Sequence, residues 1–533
     1  MQIVVKLKDV IIDPAKPLDL TAMPPDKAIA LIRKAYGFLA ANMNFEIKDD
    51  RVHITIDFER SRDEAEARDC FARAMKQAQS GRHNKAVDLL NRVLEIVPEH
   101  TEARRNLAMS LMNSGRLNEA KDQLVDVLRL APDDAWALVI LGNIYAKHEN
   151  NLEVGERFYQ KALELSPRDP LALVNYAALK MERKDPDGAR PLFEQAVAAQ
   201  PKTPNPYYGL AILLNDSGKP LEALAVLDRM FDTAEFSDTR LSELHKECRE
   251  YYLRLNARIA DTDYDRLWMI ALDYRAEVER LTGIPVDLVE DNSLDDTTAM
   301  SVPAWRSASA KHVVRYNSRG KPVVPYIVVR ELEAIRMEYE ARAAGKGCEF
   351  HYVADNSDRT KVIEDHLRML SRSGVDESEV RPLIPKIVDG LMSRMLLAPL
   401  DAILDYRLYA RDHDLKPSQF TGMYLRQNQN QNPLIRPEVS RVVPVPVKRA
   451  HEIASAAYAL FVDSMTHGRT AYAAEFRKIP GMPLAREFAD GWQKAAVAFQ
   501  PGEQYDLLRA FVKAFRLNAW IEIRPQLSGT EKT

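Results

Sequence analysis

The sequence predicts a mainly α-helical protein whose central part is an α-solenoid. Three periodic features indicate this fold. A small residue recurs at steps of 34, 34, 35 and 34 residues: Ala74, Ala108, Gly142, Ala177 and Ala211. A second small residue follows each of these in the same register: Ala86, Ala120, Gly155, Ala189 and Ala223. A proline lies near the end of four units: Pro98, Pro132, Pro167 and Pro201. Small residues allow two helices to cross closely, and proline ends a helix.

This pattern resembles the tetratricopeptide repeat, a unit of about 34 residues in which helix A, a turn and helix B follow each other. Five units fit the sequence: 67–100, 101–134, 135–169, 170–203 and 204–237. The step of 35 residues falls in the third unit. We expect the turn at residues 148–152 to hold the extra residue, because a turn tolerates an insertion better than a helix does.

Residues 1–60 are predicted to form a small α+β module. Residues 3–7 alternate like a strand, residues 26–41 carry apolar residues at helical spacing, and residues 45–48 and 52–58 flank a hairpin turn. We interpret the module as a cap for the first repeat, which a solenoid requires at its ends. The alternative is a small docking module.

The resemblance implies a binding groove, because helix A of each unit lines the concave face of a tetratricopeptide superhelix. The positions predicted to bind a partner are Arg105, Met109, Asn143, Asn175, Tyr208 and Ile212. Further groove positions are Met112, Trp136, Val139, Val174, Ala178, Met181 and Asn215. Asn143 and Asn175 resemble an asparagine pair that holds a peptide backbone in family members, since an amide both donates and accepts hydrogen bonds.

The ligand of this groove is expected to be an apolar or extended internal segment of another protein. Chaperone-binding members of the family grip a C-terminal carboxylate with a basic clamp, and here Arg105 alone is suitably placed. An acidic tail is therefore the weaker hypothesis. The alternative occupant is the protein's own C-terminal part, because exposed apolar patches usually have a partner.

Composition limits the classes of partner. With 533 residues the chain is expected to hold two or three domains, and 46% hydrophobic residues indicate a globular protein. A formal net charge of −4 argues against nucleic acid as a partner. The three cysteines, Cys70, Cys248 and Cys348, suggest neither disulfides nor a zinc motif. Without a signal peptide or a membrane span in the sequence, we predict a cytoplasmic protein with no membrane partner and no cofactor.

The 34-residue period ends after the fifth unit. Residues 240–256 and 263–281 have helical patterns, and we interpret residues 238–289 as a helical cap of the solenoid. The acidic, turn-rich run 290–298 predicts a linker, followed by a mostly helical domain at 300–525.

This C-terminal part resembles a family of bacterial zincin-like domains that are fused to tetratricopeptide repeats. The resemblance rests on Trp305, residues 311–317 and 323–329, a predicted helix at 331–344, and residues 398–405 and 415–420. Such domains carry an HExxH helix. Two histidines one turn apart bind zinc, and the glutamate between them polarises the metal-bound water.

In this chain both zinc-ligand positions are changed. The aligned segment reads Arg-Glu-Leu-Glu-Ala, so Arg330 and Ala334 replace the histidines while Glu331 keeps the general-base position. Arginine cannot lose its proton to bind a metal, and alanine has no donor atom. Glu340 and Asp405 remain as carboxylates, but a site without both histidines should not hold catalytic zinc. The resemblance therefore implies a pseudoenzyme without catalytic or metal-binding residues.

Without that resemblance, Glu331 and Glu333 are charges on a helix, paired with neighbouring arginines. Residues 426–448 hold a Gln-Asn run and several prolines and predict a long loop. Residues 469–478 and 505–515 predict amphipathic helices, and the last eight or so residues are expected to be disordered.

Together these patterns predict a protein–protein interaction scaffold or adaptor, with a pseudo-metallopeptidase domain as a structural or recognition module. The alternative, from a different class, is an atypical metal-dependent peptidase. Stoichiometric zinc in the purified protein would distinguish the two. The sequence leaves the oligomeric state and the identity of the partner open.

Overall fold

The structure, a computed structural model, describes residues 2–7, 20–36, 43–56, 58–236, 241–307, 309–353, 357–374, 376–411, 414–435, 437–516 and 521–525. These residues are mostly helical, with three small sheets among them, which confirms the predicted fold class. The chain divides into two compact units, residues 1–200 and 201–533.

The first unit begins with a three-stranded antiparallel sheet of order β1-β3-β2 and one helix. The elements are β1 (Gln2–Lys6), α1 (Pro25–Tyr36), β2 (Met43–Lys48) and β3 (Arg51–Ile56). Ile32 of α1 is fully buried and packs with Phe45, Val52 and Ile54 of the sheet. This is the predicted strand, helix and hairpin; residues 37–41 of the expected helical segment lie outside the described residues.

Eight helices of the first unit form four antiparallel pairs. They are α2 (Phe58–Gln79), α3 (His83–Ile96), α4 (Thr101–Asn113), α5 (Leu117–Leu130), α6 (Ala135–Asn143), α7 (Leu152–Leu165), α8 (Pro170–Glu182) and α9 (Pro186–Ala199). The periodic small residues lie where the helices of a pair cross. A Cβ atom on Gly142 would lie 2.6 Å from the Tyr159 ring, and one on Gly155 would lie 2.8 Å from Cβ of Ala146. Glycine is therefore required in the third pair, because a larger residue would push its two helices apart.

The extra residue of the third unit lies in helix A, and the expectation that the turn would hold it is wrong. Helix α6 continues into one π turn, Ile144–His148, in which the Glu149 amide donates to the Ile144 carbonyl at 3.1 Å. A π turn closes over five residues instead of four, so it takes up one inserted residue without ending the helix. Asn150 then reverses the chain with a positive φ of 51°.

The second unit begins with the fifth helix pair, α10 (Pro204–Asp216) and α11 (Pro220–Thr233), and continues with α12 (Leu241–Thr262) and α13 (Tyr264–Thr282). A mixed sheet of order β4-β6-β5 follows. Its strands are β4 (Val286–Glu290), β5 (Ala299–Val302) and β6 (His312–Tyr316). The expected linker at 290–298 joins two strands of this sheet, so it does not separate the helical cap from the C-terminal domain.

The remaining elements build the C-terminal part around a central helix, α14. They are α14 (Val324–Ala343), β7 (Cys348–Tyr352), α15 (Ser357–Arg372), α16 (Glu377–Val380), α17 (Ile384–Arg411), α18 (Lys416–Ile435), α19 (Pro437–Val442), α20 (Val445–Met465), α21 (Met482–Val497), α22 (Glu503–Ala514) and β8 (Ile521–Pro525). Six successive residues of α14, 324–329, are buried, as expected for a helix that is covered on all sides.

Three sequence-based boundaries in this part are corrected. The helix predicted at 331–344 begins at Val324, because Pro325 occupies its first turn, where proline favours a helix start. Residues 426–448 are largely helical rather than a loop, since Pro437 and Pro446 also lie in first turns. Residues 469–478 contain a short 3₁₀ helix, Tyr472–Phe476, instead of an amphipathic α-helix.

Candidate functional site

The candidate binding face is formed by the A helices of the first unit, α4, α6 and α8. Arg105 and Met109 lie one turn apart on α4, and both are partly exposed. Met109 packs on the core of the repeats while part of its side chain stays accessible. The same partial exposure holds for Met112, Trp136, Val174 and Met181. Val139, also predicted to face the groove, is 1% exposed and belongs to the core.

Arg105 is held in place by the next repeat. Its NH1 atom lies 3.1 Å from Oδ2 of Asp134, and its guanidinium lies 5.8 Å from the centre of the Trp136 ring. Asp134 also caps α6, accepting a hydrogen bond from the Ala137 amide at 2.9 Å. The positive charge of Arg105 is therefore partly balanced before any ligand binds.

Asn143 stands at the end of α6, next to the π turn. Its Oδ1 atom accepts a hydrogen bond of 2.8 Å from the Tyr159 hydroxyl, which fixes the orientation of the amide. Burial raises the pKa of Tyr159 well above its usual value, so this hydroxyl stays a donor. The Nδ2 atom of Asn143 has no acceptor among the described residues and remains able to donate.

Asn175 is used inside the repeats. It is 7% exposed; its Nδ2 donates to the Leu171 carbonyl at 2.9 Å, and its Oδ1 accepts from Nζ of Lys147 at 2.8 Å. Lys147 lies in the π turn, so the inserted residue of the third unit is what brings this lysine to the next helix A. Sequence reasoning missed this contact because nothing in the 34-residue period signals a π turn.

Tyr208 and Ile212, the other two predicted positions, lie on α10 in the second unit. The Tyr208 ring meets the Tyr251 ring edge to face at 5.6 Å between centres, and Ile212 is partly exposed. Burial raises the pKa of the Tyr208 hydroxyl. The position of the Tyr208 ring is therefore fixed by a contact within the second unit.

In the second unit, residues 330–334, the segment predicted to correspond to HExxH, lie in a cluster of arginines and carboxylates. Arg330 forms ion pairs with Asp401 and Asp405 of α17 and lies 3.3 Å from its neighbour Glu331. Glu331 also accepts hydrogen bonds from the amide and the hydroxyl of Ser301, at 2.9 and 2.8 Å. The Arg330 side chain is 12% exposed, so a largely buried cation lies at the position predicted to correspond to the first zinc ligand.

Asp405 is the most enclosed member of the cluster, with a side chain that is 0% exposed. Its Oδ1 atom accepts from the Tyr326 hydroxyl and from Nε of Arg330, and its Oδ2 atom accepts from the Tyr458 hydroxyl and from NH1 of Arg426 at 3.0 Å. Burial raises the pKa of both tyrosines well above the usual value, so both hydroxyls stay protonated donors.

Glu340, the other carboxylate considered as a metal ligand, is also paired with arginines: Arg336 at 2.9 Å and Arg407 at 3.1 Å. Within the described ranges, no three His, Cys, Asp or Glu side chains come together as metal ligands do. Among the described helices, none combines the length and the apolar character needed to cross a membrane.

Comparison with known families identifies the repeats. A family model of the tetratricopeptide repeat matches residues 77–144 and 180–247. The chain therefore contains tetratricopeptide repeats, as the 34-residue period predicted, and proteins with such repeats are known as protein–protein interaction modules. A comparison with curated proteins finds no match.

Several solved structures are similar over part of the chain. A thermophilic tetratricopeptide protein of Thermus thermophilus, TTC0263, has 21% identity and a TM-score of 0.31, covering 34% of this chain and 98% of its own. PilF of Pseudomonas aeruginosa has 19% identity and a TM-score of 0.32, covering 42% and 94%. YrrB, described as having an unusual peptide-binding site, has 18% identity and a TM-score of 0.25, covering 33% and 90%. None of these comparisons tests the zincin-like resemblance, which stays a prediction.

Proposed function

We propose that this protein is an interaction scaffold whose A helices in residues 67–200 bind a segment of another protein. The observation that carries the proposal is the row of partly exposed apolar side chains along successive A helices: Met109, Met112, Trp136, Val174 and Met181. A contiguous patch of accessible apolar side chains on a folded surface often marks a binding site. Methionine suits such a site because its flexible side chain adapts to different ligands.

The ligand that this surface favours is an extended, mainly apolar segment. Arg105 is already paired with Asp134, so it offers less to the carboxylate of an acidic tail. Asn143 supplies a fixed amide whose Nδ2 can donate to a backbone carbonyl of the ligand. Asn175 contributes by holding Lys147.

A matched pair of substitutions in the second repeat tests the proposal. Met109→Glu places a charge on the A helix, whereas Val125→Glu places the same charge on helix B, where Val125 is 40% exposed. The wild type and both variants serve as bait in extracts of the native host, and captured proteins are quantified by mass spectrometry. We expect Met109→Glu to reduce capture of a specific partner about tenfold or more, because the buried charge would remain unpaired, and Val125→Glu to leave capture unchanged.

A photo-crosslinking amino acid at position 109 or 125 of the intact protein gives an independent measurement. A crosslink from position 109 to one segment of a partner supports the groove, and a crosslink to residues 300–525 of the same chain would identify the protein's own C-terminal part as the occupant. Equal capture by both glutamate variants, with unchanged circular dichroism, would refute groove binding. Asn143→Ala is a milder variant than the double Asn143→Ala/Asn175→Ala, since Asn175 also supports the fold.

We also propose that the C-terminal domain is a pseudo-metallopeptidase that acts as a structural or recognition module. Support comes from the Arg330 guanidinium, which pairs with Asp401, Asp405 and Glu331 at the position of the lost zinc ligand. A zinc ion would have to displace this buried cation. The carboxylates that might otherwise bind the metal are already neutralised by arginine.

Metal analysis of the protein purified without chelator separates this proposal from an atypical metal-dependent peptidase. We expect no stoichiometric zinc and no peptide hydrolysis. One equivalent of zinc that is lost in Glu331→Gln, together with hydrolysis that is lost in the same variant, would establish the peptidase instead.

A further inference from the structure

A cavity of about 520 Å³ lies in the second unit between α12, α20, the 3₁₀ segment and α21. Three arginines line it: Arg249 from α12, Arg477 just after the 3₁₀ segment, and Arg486 from α21. Its volume falls in the range of small-molecule sites and is far larger than a simple ion needs. None of the functions discussed above uses this cavity.

The charges of Asp463 and Glu250 act on Arg249, but none of the three arginines of the cavity makes a close ion pair with a residue that the structure describes. None of their guanidinium groups forms a hydrogen bond or an ion pair with a described residue. By contrast, Arg330, Arg407 and Arg469 of the same unit each pair with carboxylates. Arg249 is half-buried, and burial is the main cause that lowers its pKa from the usual value. Partial burial of the Arg249 charge is costly, and a bound anion would reduce that cost.

The single carboxylate that lines the cavity is already engaged. Asp463 accepts hydrogen bonds from the Thr470 hydroxyl at 2.6 Å and from the Tyr472 and Ala473 amides at 2.9 Å each. These bonds hold the 3₁₀ segment against α20. The Asp463 carboxylate therefore holds the loop and balances part of the Arg249 charge, and the lining keeps an excess of positive charge, with three arginines against one aspartate.

The rest of the lining supplies a neutral polar group and an apolar wall. His245 stacks on Phe236 with 3.9 Å between ring centres, and burial together with the charge of Arg249 lowers its pKa to about 4. The imidazole is therefore neutral near pH 7. Leu460, Met482 and Ala474 line the cavity with apolar atoms.

We propose that this cavity binds a small organic phosphate monoester. The phosphoryl group would lie between Arg249, Arg477 and Arg486, and the organic group would contact Leu460 and Met482. Guanidinium groups match phosphate oxygens in geometry and charge through paired N–H donors. A doubly charged phosphoryl group matches the excess of positive charge better than a single carboxylate does, and the apolar wall requires an organic group to cover it.

Isothermal titration calorimetry of the full chain with phenyl phosphate at pH 7 tests the site. We expect a dissociation constant below about 1 mM, weakened at least tenfold when Arg477→Ala and Arg486→Ala are combined, since charge-assisted hydrogen bonds are lost. Both side chains are exposed and make no ion pair with a described residue, so the double variant should fold normally. Lys478→Ala removes an exposed positive charge from the neighbouring position and should leave binding unchanged.

The pKa of His245 gives a second readout that does not depend on heat. A bound anion stabilises the imidazolium form, so phenyl phosphate should raise this pKa from about 4 in an NMR titration. The double arginine variant should lose this response, because it lacks the anion. The Lys478→Ala protein should keep it.

Three ligand comparisons define the outcomes. Weaker binding of inorganic phosphate than of phenyl phosphate supports the contribution of the apolar wall, and equal binding would overturn it. Phosphatidic acid vesicles that bind while phenyl phosphate does not would overturn the small-molecule ligand in favour of a lipid headgroup. The proposed site would be overturned if phenyl phosphate does not bind. It would also be overturned if Lys478→Ala weakens phenyl phosphate binding as much as the double arginine variant does.

Discussion

Replacing Asp405 with asparagine is expected to destabilise the second unit strongly. The carboxylate is fully buried, and its two oxygens accept from Tyr326, Arg330, Tyr458 and Arg426. Asparagine has the same size but one oxygen, so two of the four donors would face an NH₂ group. At roughly 1–3 kcal/mol for each buried donor without an acceptor, the free energy of unfolding should fall by roughly 2–6 kcal/mol.

Urea denaturation followed by tryptophan fluorescence measures this change, because Trp268, Trp305 and Trp492 lie in the second unit and Trp136 in the first. Far-ultraviolet circular dichroism follows the helices of both units in parallel. The transitions are fitted separately, since a chain of two units need not unfold in one step.

Two further aspartates calibrate the result. Asp401→Asn removes a carboxylate that is 21% exposed and pairs with Arg330, and it should cost about 1 kcal/mol. Asp506→Asn removes a carboxylate that is 73% exposed and should cost close to nothing. If Asp405→Asn costs no more than Asp401→Asn, the buried network does not stabilise the unit and the reasoning is refuted.

Three other predictions follow from single contacts. Gly155→Ala should lower the free energy of unfolding of the repeats by about 1–3 kcal/mol, because its methyl group would overlap Ala146; an unchanged thermal transition would contradict the close crossing. The free energy of unfolding should fall as the pH decreases from 6.5 to about 4, because unfolded His245 takes up a proton that the folded, buried imidazole does not. In His245→Gln this pH-dependent fall should be smaller. Identical pH profiles of the free energy of unfolding in the two proteins would argue against the buried imidazole. Arg469→Ala should cost roughly 3 kcal/mol in urea denaturation, since the 5% exposed guanidinium binds Asp228; a loss no larger than that of an exposed arginine would show that the pair is not needed.

The fold of the repeats could be predicted from the sequence, but the fold of the C-terminal part could be predicted only in class. Each repeat pairs helices that are close in sequence, so Ala74 and Ala86 carry the crossing of their own unit. In the C-terminal part, the sequence predicts that residues 323–329 precede the helix at 331–344. In the structure, residues 324–329 form the first turns of α14 and are buried on all sides. When tertiary packing covers every face of a helix, the period of its apolar residues does not show where the helix begins.

The predicted partner-binding residues also include some whose exposure follows from the sequence and one whose contact only the structure shows. Arg105, Met109 and Asn143 are predicted from their register within a repeat, and the structure leaves all three partly exposed. Asn175 also obeys the register, yet Lys147 occupies its oxygen because a π turn moved the lysine there. The π turn that holds the inserted residue also carries Lys147, and the sequence period does not show whether a turn or a helix holds that residue.

The sequence by itself determined that five helix pairs form, since the small residues and prolines that build each pair recur within 35 residues. Only the tertiary structure decided that Tyr326, Asp405, Arg426 and Tyr458, spread over more than a hundred residues, form one buried charge network. The same holds for the arginines at 249, 477 and 486, which line one cavity. Local pairing follows from neighbours in the chain, whereas a buried charge takes its partners from whichever helices pack around it.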